Sequence, residues 1–136
     1  MKQVFVNLLI NAKHACDDLR DHQGKIRVKL FANENNIYIE VADNGCGMDV
    51  DTLKQMFDPF FTTKPVGQGT GMGMAIVYNV VKEHHGYVDV ESEVNKGSLI
   101  SMKTRKCLFT KRSTKRFKIR WHAKNQIGRA SCRERC

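Results

Sequence analysis

The chain has 136 residues, 41% hydrophobic and 27% charged, enough for one domain with its own core and ordinary for a globular protein. No run of about 18 apolar residues is present, which excludes a transmembrane helix. The N-terminus also lacks the basic segment, apolar stretch and small-residue cleavage site of a signal peptide. The net charge of +9 is unevenly spread: residues 1–102 carry 10 basic against 13 acidic side chains (net −3), and residues 103–136 carry 13 basic against Glu134 alone (net +12). A mildly acidic domain therefore bears a basic tail, and the two are read separately.

"QVFVNLLINAKHACDDL" places Val4, Leu8, Ala12 and Ala15 at helical spacing, with Phe5, Leu9 and Cys16 widening the stripe. "KIRVKLFA" alternates, with Ile26, Val28 and Leu30 on one face; "NIYIEVA" does the same with Ile37, Ile39 and Val41. Joined by the turn "NENN", the two predict a hairpin. "DVDTLKQMF" reads as a short helix with Asp49 or Asp51 near its start. The next sixteen residues, "DPFFTTKPVGQGTGMG", hold two prolines and four glycines, and a loop of that length in a compact domain is functional or disordered. "MAIVYNVVKEHHG" resumes helical spacing and closes at Gly86. "YVDVESE" and "SLISMKT" are two further strands around a turn at Asn95, Lys96 and Gly97. The order predicts a two-layer α/β sandwich with helices on one face of the sheet.

Five cysteines without a C-x-x-C pair are neither a zinc pattern nor a disulfide framework and suit a reducing compartment. The five histidines show no metal-ligand spacing; His14, His22 and His122 read as ordinary surface or satisfied side chains, and His84 and His85 as the close of the last helix.

Four short stretches carry the chemical interest. Asn7 and Asn11 lie four apart, on one helix face. They form either the polar rim of a pocket, with an amide oxygen suited to Mg2+, or two exposed or mutually paired amides. "DNGCGM" leaves a strand through Asp43, Gly45 and Gly47, a turn composition with an acid at the strand end. "GQGTGMG" leads into a helix whose free N–H groups and dipole suit phosphate; a glycine hinge is the other reading. Lys64, in "FFTTK", is a point charge able to reach phosphate or a solvated lysine. The neighbouring Phe57, Phe60 and Phe61 are lid anchors or core.

In this order, "NLLINA", "DNGCGM", "FDPFFTTK" and "GTGMGMAIV" resemble the N, G1, F and G2 boxes of the ATP-binding domain of sensor histidine kinases. That domain belongs to a superfamily with DNA gyrase, the ninety-kilodalton heat-shock chaperone and mismatch-repair ATPases. The resemblance covers residues 1 to about 105, and "FDPFFTTK" points to histidine kinases within the superfamily. It implies a Bergerat-type fold: an α/β (α+β) two-layer sandwich, with a mixed, mainly antiparallel sheet. It implies ATP and Mg2+ as ligands. Asn11 would hold Mg2+ against the phosphates and Asn7 would support it. Asp43 would accept from the adenine amine, with Gly45 and Gly47 giving clearance. Lys64, Gly69, Thr70, Gly71, Met72 and Gly73 would form the lid and bind phosphate, and Ser98 would follow the glycine turn of the last strand. Met72 and Met74 stand where the family usually has leucine, a swap that nearly conserves volume.

The resemblance further implies a histidine on a separate helical dimerisation domain, a response regulator downstream and a cytoplasmic setting, including the cytoplasmic part of a membrane-bound sensor. The sequence opens on the N box without the strand that resemblance places before it, so an N-terminally truncated domain over residues 1–106 is expected, with no autophosphorylation by this chain alone. Residues 107–136 are read as a disordered or artefactual basic tail, since "IGRASCRER" resembles translated sequencing-adapter DNA. Nucleic acid and membrane are not expected as partners. Two alternatives are a stand-alone ATP-binding regulator, such as an anti-sigma-factor serine kinase, and a nucleic-acid-binding protein acting through the tail.

Overall fold

The computed structural model describes residues 2–17, 19 and 23–105 and, for the backbone, 119–123. The elements in chain order are α1 (Lys2–Asp17), β1 (Ile26–Ala32), β2 (Asn36–Asp43), α2 (Val50–Gln55), α3 (Gly73–Glu83), β3 (Tyr87–Glu93), β4 (Gly97–Arg105) and β5 (Ile119–Ala123). Every element expected from the sequence is present, in the expected order. β5 is additional and falls inside the basic tail; the rest of the reading made for 107–136 lies outside the described residues.

The sheet order is β1-β2-β4-β3-β5. The first four strands pair antiparallel, and β5 runs parallel to β3, so the sheet is mixed and mainly antiparallel. The β1–β2 hairpin has Val28 opposite Val41 and Leu30 opposite Ile39. Asn33 builds its turn: its side-chain oxygen accepts from the backbone N–H of Asn35 and Asn36, the local bonding that makes Asn a turn residue.

The helices cover one face. Val4, Leu8 and Ala12 of α1 and Val77 and Val81 of α3 are buried with Leu53 of α2 over Ile39, Val41, Val88, Val90, Ile100 and Met102 of the sheet. Their spacing is that of the stripes read from the sequence, and burying each such side chain contributes roughly 1.5–3 kcal/mol. Phe57 is core, its ring 5.8 Å from that of Tyr78. The uncovered face is bound across strands instead. Phe31 and Tyr38 stack at 4.8 Å, and the Lys103 ammonium lies 5.4 Å from the Tyr38 ring and 5.9 Å from that of Tyr87.

β1 departs from expectation. Its alternation predicts a buried face, yet Ile26, Val28 and Leu30 are all exposed, Leu30 at 61%. The helices pack over β2, β3 and β4, and β1 at the sheet edge receives little cover. Leu9, predicted within the α1 stripe, is likewise exposed.

Candidate functional site

Three segments meet along α1: the α3 start at Asn7, and the other two near His14 and Ala15. The first is the turn after β2. Cys46 N–H donates to the Ala15 carbonyl of α1 at 3.0 Å, and Asn95 N–H donates to the Cys46 carbonyl at 2.7 Å. The turn is thus clamped between helix α1 and the β3–β4 hairpin. Gly45 is buried against Ala15, where a Cβ would overlap the Ala15 backbone. Gly47 has φ +67, and a Cβ there would overlap the Glu93 carbonyl; both positions demand glycine.

Asp43, the last residue of β2, pairs across the sheet with Ser98. Its carboxylate accepts from the Gly45 N–H at 2.9 Å. Burial pushes its pKa above the ordinary carboxylate value, while the backbone N–H groups of Gly45 and Ser98 pull it back. Ser92, absent from the sequence reading, secures this corner. Its buried hydroxyl accepts from Met48 N–H at 2.8 Å, lies 2.9 Å from the Ser98 hydroxyl and 3.1 Å from the Gly97 carbonyl. As one serine within an alternating strand, it gave no sequence signal.

The second segment is the start of α3. Gly73 is its first residue and lies against Asn7: a Cβ on Gly73 would stand 3.7 Å from the Asn7 side-chain oxygen. No side chain caps the helix, whose N-cap is Met72, so its first N–H groups face outward without a side-chain acceptor. The Asn7 Nδ2 is buried with no hydrogen-bond partner among the described residues. Asn11 follows one turn later on the same helix and is half-buried. An orphaned amide beside an uncapped helix start is costly unless something polar completes it.

The third segment joins α2 to α3. Phe60, exposed and at φ 68, donates its N–H to the Gly71 carbonyl at 3.0 Å, which closes the segment into a loop. Thr70 turns onto Met72 through its hydroxyl. Gly69 lies against Thr62 and the Lys64 stem. The Lys64 ammonium reaches α1 and donates to His14 Nδ1 at 2.5 Å. The structure therefore brings together Asn7, Gly73 and the α3 start, and separately Lys64, Gly69 and His14, all around α1; Asp43, Gly45, Gly47 and Ser98 form the floor beside the end of the same helix. Phe60 is neither core nor buried anchor, unlike Phe57.

The donor set also bears on Mg2+. Among the described residues no group of three or more His, Cys, Asp or Glu is arranged to hold a metal ion. A cation at this face would take an Asn amide oxygen, with the remaining ligands from phosphate and water, which is how Mg2+ is commonly held. The residues fit that mode.

A helix-covered mixed sheet with an acid-and-glycine turn, an asparagine-bearing helix and a glycine-rich helix start defines a Bergerat-type ATP-binding domain. The comparisons carry this to a family. Residues 1–107 match the family described as histidine kinase-, DNA gyrase B-, and HSP90-like ATPase, and the chain belongs to it, as an ATP-binding domain of the sensor histidine kinase kind. Sensor kinase CckA of Brucella abortus is 37% identical, with 71% of this chain and 11% of that protein covered. The signal transduction histidine-protein kinase AtoS of Escherichia coli is 38% identical, with 75% and 16% covered. Across the relatives compared, this chain spans between 11% and 21% of their length. Among solved structures, the nucleotide-free catalytic domain of histidine kinase ThkA superposes with a TM-score of 0.62 at 28% identity, covering 76% of this chain and 65% of that one. Full-length ShkA in complex with AMPPNP gives 0.62 at 25% identity, covering 75% and 20%.

Proposed function

We propose that this domain binds MgATP and serves as the phosphoryl-donating module of a two-component sensor histidine kinase, with the γ-phosphate passing to a histidine on a helical dimerisation domain and onward to a response regulator. The observation that carries the reading is the orphaned Asn7 amide set against the uncapped start of α3. A triphosphate completes both, with oxygens for the amide and for the helix N–H groups.

In this reading Asp43 accepts from the exocyclic amine of adenine, and guanine, with a carbonyl at that place, leaves the buried acid without a donor. Gly45 and Gly47 let the chain pass beneath the base, and Ser98 holds the corner. Asn11 would hold Mg2+ and Asn7 would support it; when bound, the ion would supply charge neutralisation at the phosphates. Lys64 and the segment through Gly69, Thr70, Gly71, Met72 and Gly73 bind and cover the phosphates. Phosphoryl transfer depends chiefly on such positioning and charge stabilisation. A cytoplasmic setting accords with this chemistry, and no helix among the described residues is long and apolar enough to cross a membrane.

Calorimetric titration of the full chain with MgATP and MgGTP tests the proposal. Saturable binding of MgATP with little or none of MgGTP is expected. Equal affinity for the two would remove Asp43 as the adenine reader, and no binding of either would remove the nucleotide site.

A further inference from the structure

His14 reads in the sequence as an ordinary histidine, and none of the four boxes assigns it a role. The fold gives it one specific neighbour. It lies three residues beyond Asn11 and seven beyond Asn7, so all three share a stripe of α1. From fifty residues further along the chain, Lys64 brings its ammonium to His14 Nδ1.

Lys64 is fixed along its length. Its backbone N–H donates to the Thr62 hydroxyl at 3.1 Å. Its stem packs against Gly69, where a Cβ would stand 3.1 Å from Lys64 Cδ. Its tip rests on His14. Ion pairs among the described residues join Lys13 to Asp17, Lys29 to Glu40, Lys54 to Asp51 and Lys96 to Glu93; Lys64 has no carboxylate partner among them. The choice of partner matters chemically. A carboxylate would orient the lysine and cancel its charge, and it would repel an incoming phosphate. Nδ1 can accept only as the lone pair of a neutral imidazole, so it orients the ammonium and leaves the positive charge intact.

We propose that His14 is a positioning residue for Lys64: its neutral imidazole holds the ammonium against the Asn7–Asn11 stripe of α1, so that an incoming triphosphate meets a cation already oriented and uncancelled. The proposal rests on the ATP-site reading above. A free lysine loses much of its rotamer entropy when it is captured by a ligand; here most of that ordering precedes binding, which is the general route by which preorganisation raises affinity. On binding, the lysine moves from a neutral acceptor to an anionic one and gains a charge-assisted bond.

The test is a double-mutant cycle on the full chain, with MgATP and adenosine as ligands. His14→Ala is expected to weaken MgATP about three- to tenfold, the range of one net hydrogen bond, and to leave adenosine unchanged. In a Lys64→Met background the same substitution has no further effect. His14→Gln, another neutral acceptor, restores affinity to within about twofold, whereas His14→Glu, a charged acceptor, does not. An equal loss for adenosine, or an undiminished loss in the Lys64→Met background, overturns the proposal. A second readout stands without nucleotide: Lys64→Met should shift the 15N resonance of His14 Nδ1 in the free chain, and an unmoved resonance overturns the contact itself. If wild type fails to bind MgATP while that resonance does move, the ATP reading fails and, with it, the role given to His14.

Discussion

Asp43 closes β2 directly opposite Ser98 of β4, and its half-buried carboxylate draws in backbone N–H groups from both Gly45 and Ser98. Burial raises its pKa and those donors only partly offset the rise. The folded chain therefore holds this proton more tightly than the unfolded chain, and the ionised acid costs stability as pH climbs from the ordinary value of 3.8 through the raised one. Above the raised pKa that cost is fully present. Asp43→Asn removes the charge and keeps an oxygen for the Gly45 N–H. It is expected to melt no lower than wild type at pH 7 and to lose that advantage under acid conditions below 3.8. ATP affinity should fall by about tenfold or more, the equivalent of one charge-assisted bond. Thermal melts at the two pH values with parallel ATP titrations read both effects. A variant less stable at pH 7, or one that binds ATP unchanged, contradicts the assignment.

Gly47 and Gly67 both sit at positive φ, +67 and +89. At Gly47 a Cβ would overlap the Glu93 carbonyl; at Gly67 it would meet nothing within 4 Å. Alanine at Gly67 therefore carries only the backbone term, about 1–2 kcal/mol. Alanine at Gly47 adds a clash with a backbone that cannot move without opening the turn, and should cost at least about twice as much. Chemical denaturation of the two variants checks the contrast; equal losses would mean that the turn is free to retreat from the hairpin.

Ser92→Ala leaves Met48 N–H without its acceptor and releases the Ser98 hydroxyl. Stranding this part-buried donor should cost about 1 kcal/mol, the low end of the range for a lost acceptor, and for a domain of this size each kcal/mol lowers Tm by roughly 4–8 °C. A melt unchanged within error would show that the hydroxyl bridge does not secure the turn.

Phe57 and Phe60, three apart in one motif, should behave oppositely. Phe57 is in the core at 8% exposure and Phe60 stands out at 76%. Phe57→Ala is expected to cost about 3–5 kcal/mol. Phe60→Gly removes a side chain that buries little and relieves a non-glycine residue at φ 68, so stability should stay within about 1 kcal/mol of wild type. Urea midpoints measure both, and a large loss for Phe60→Gly would mean that its ring packs in solution.

These contrasts mark where the sequence was legible. Helical and strand periodicity reports which face of an element is apolar, and Val4, Leu8, Val77, Ile39 and Val41 are buried where it placed them. It cannot report whether another element covers that face: β1 shows the same alternation, and its Ile26, Val28 and Leu30 are exposed. The four boxes were legible because each joins a demanding backbone shape to a distinctive side chain. Ser92 and His14 were not. Their significance lies in partners 44 and 50 residues away, and neither local pattern nor composition encodes such a meeting.

Asn11 gives the last contrast, because the role proposed for it separates the metal from the nucleotide. Asn7 has an orphaned amide and lies against Gly73; Asn11, one turn on, is the proposed Mg2+ ligand. With no acidic cluster among the described residues to share the ion, one amide oxygen would be the contribution of these residues, with phosphate and water supplying the rest. Asn11→Ala should then leave ATP affinity in the presence of a chelator close to the wild-type value under the same conditions, and should remove most of the gain that Mg2+ produces in wild type. Asn7→Ala should weaken ATP with or without the metal, since in the proposed reading its orphaned amide at the α3 start is completed by the phosphates themselves. Titrations of the two variants with ATP, with Mg2+ and with chelator, form the check. A Mg2+-dependent gain of wild-type size in Asn11→Ala would move the ion to another ligand.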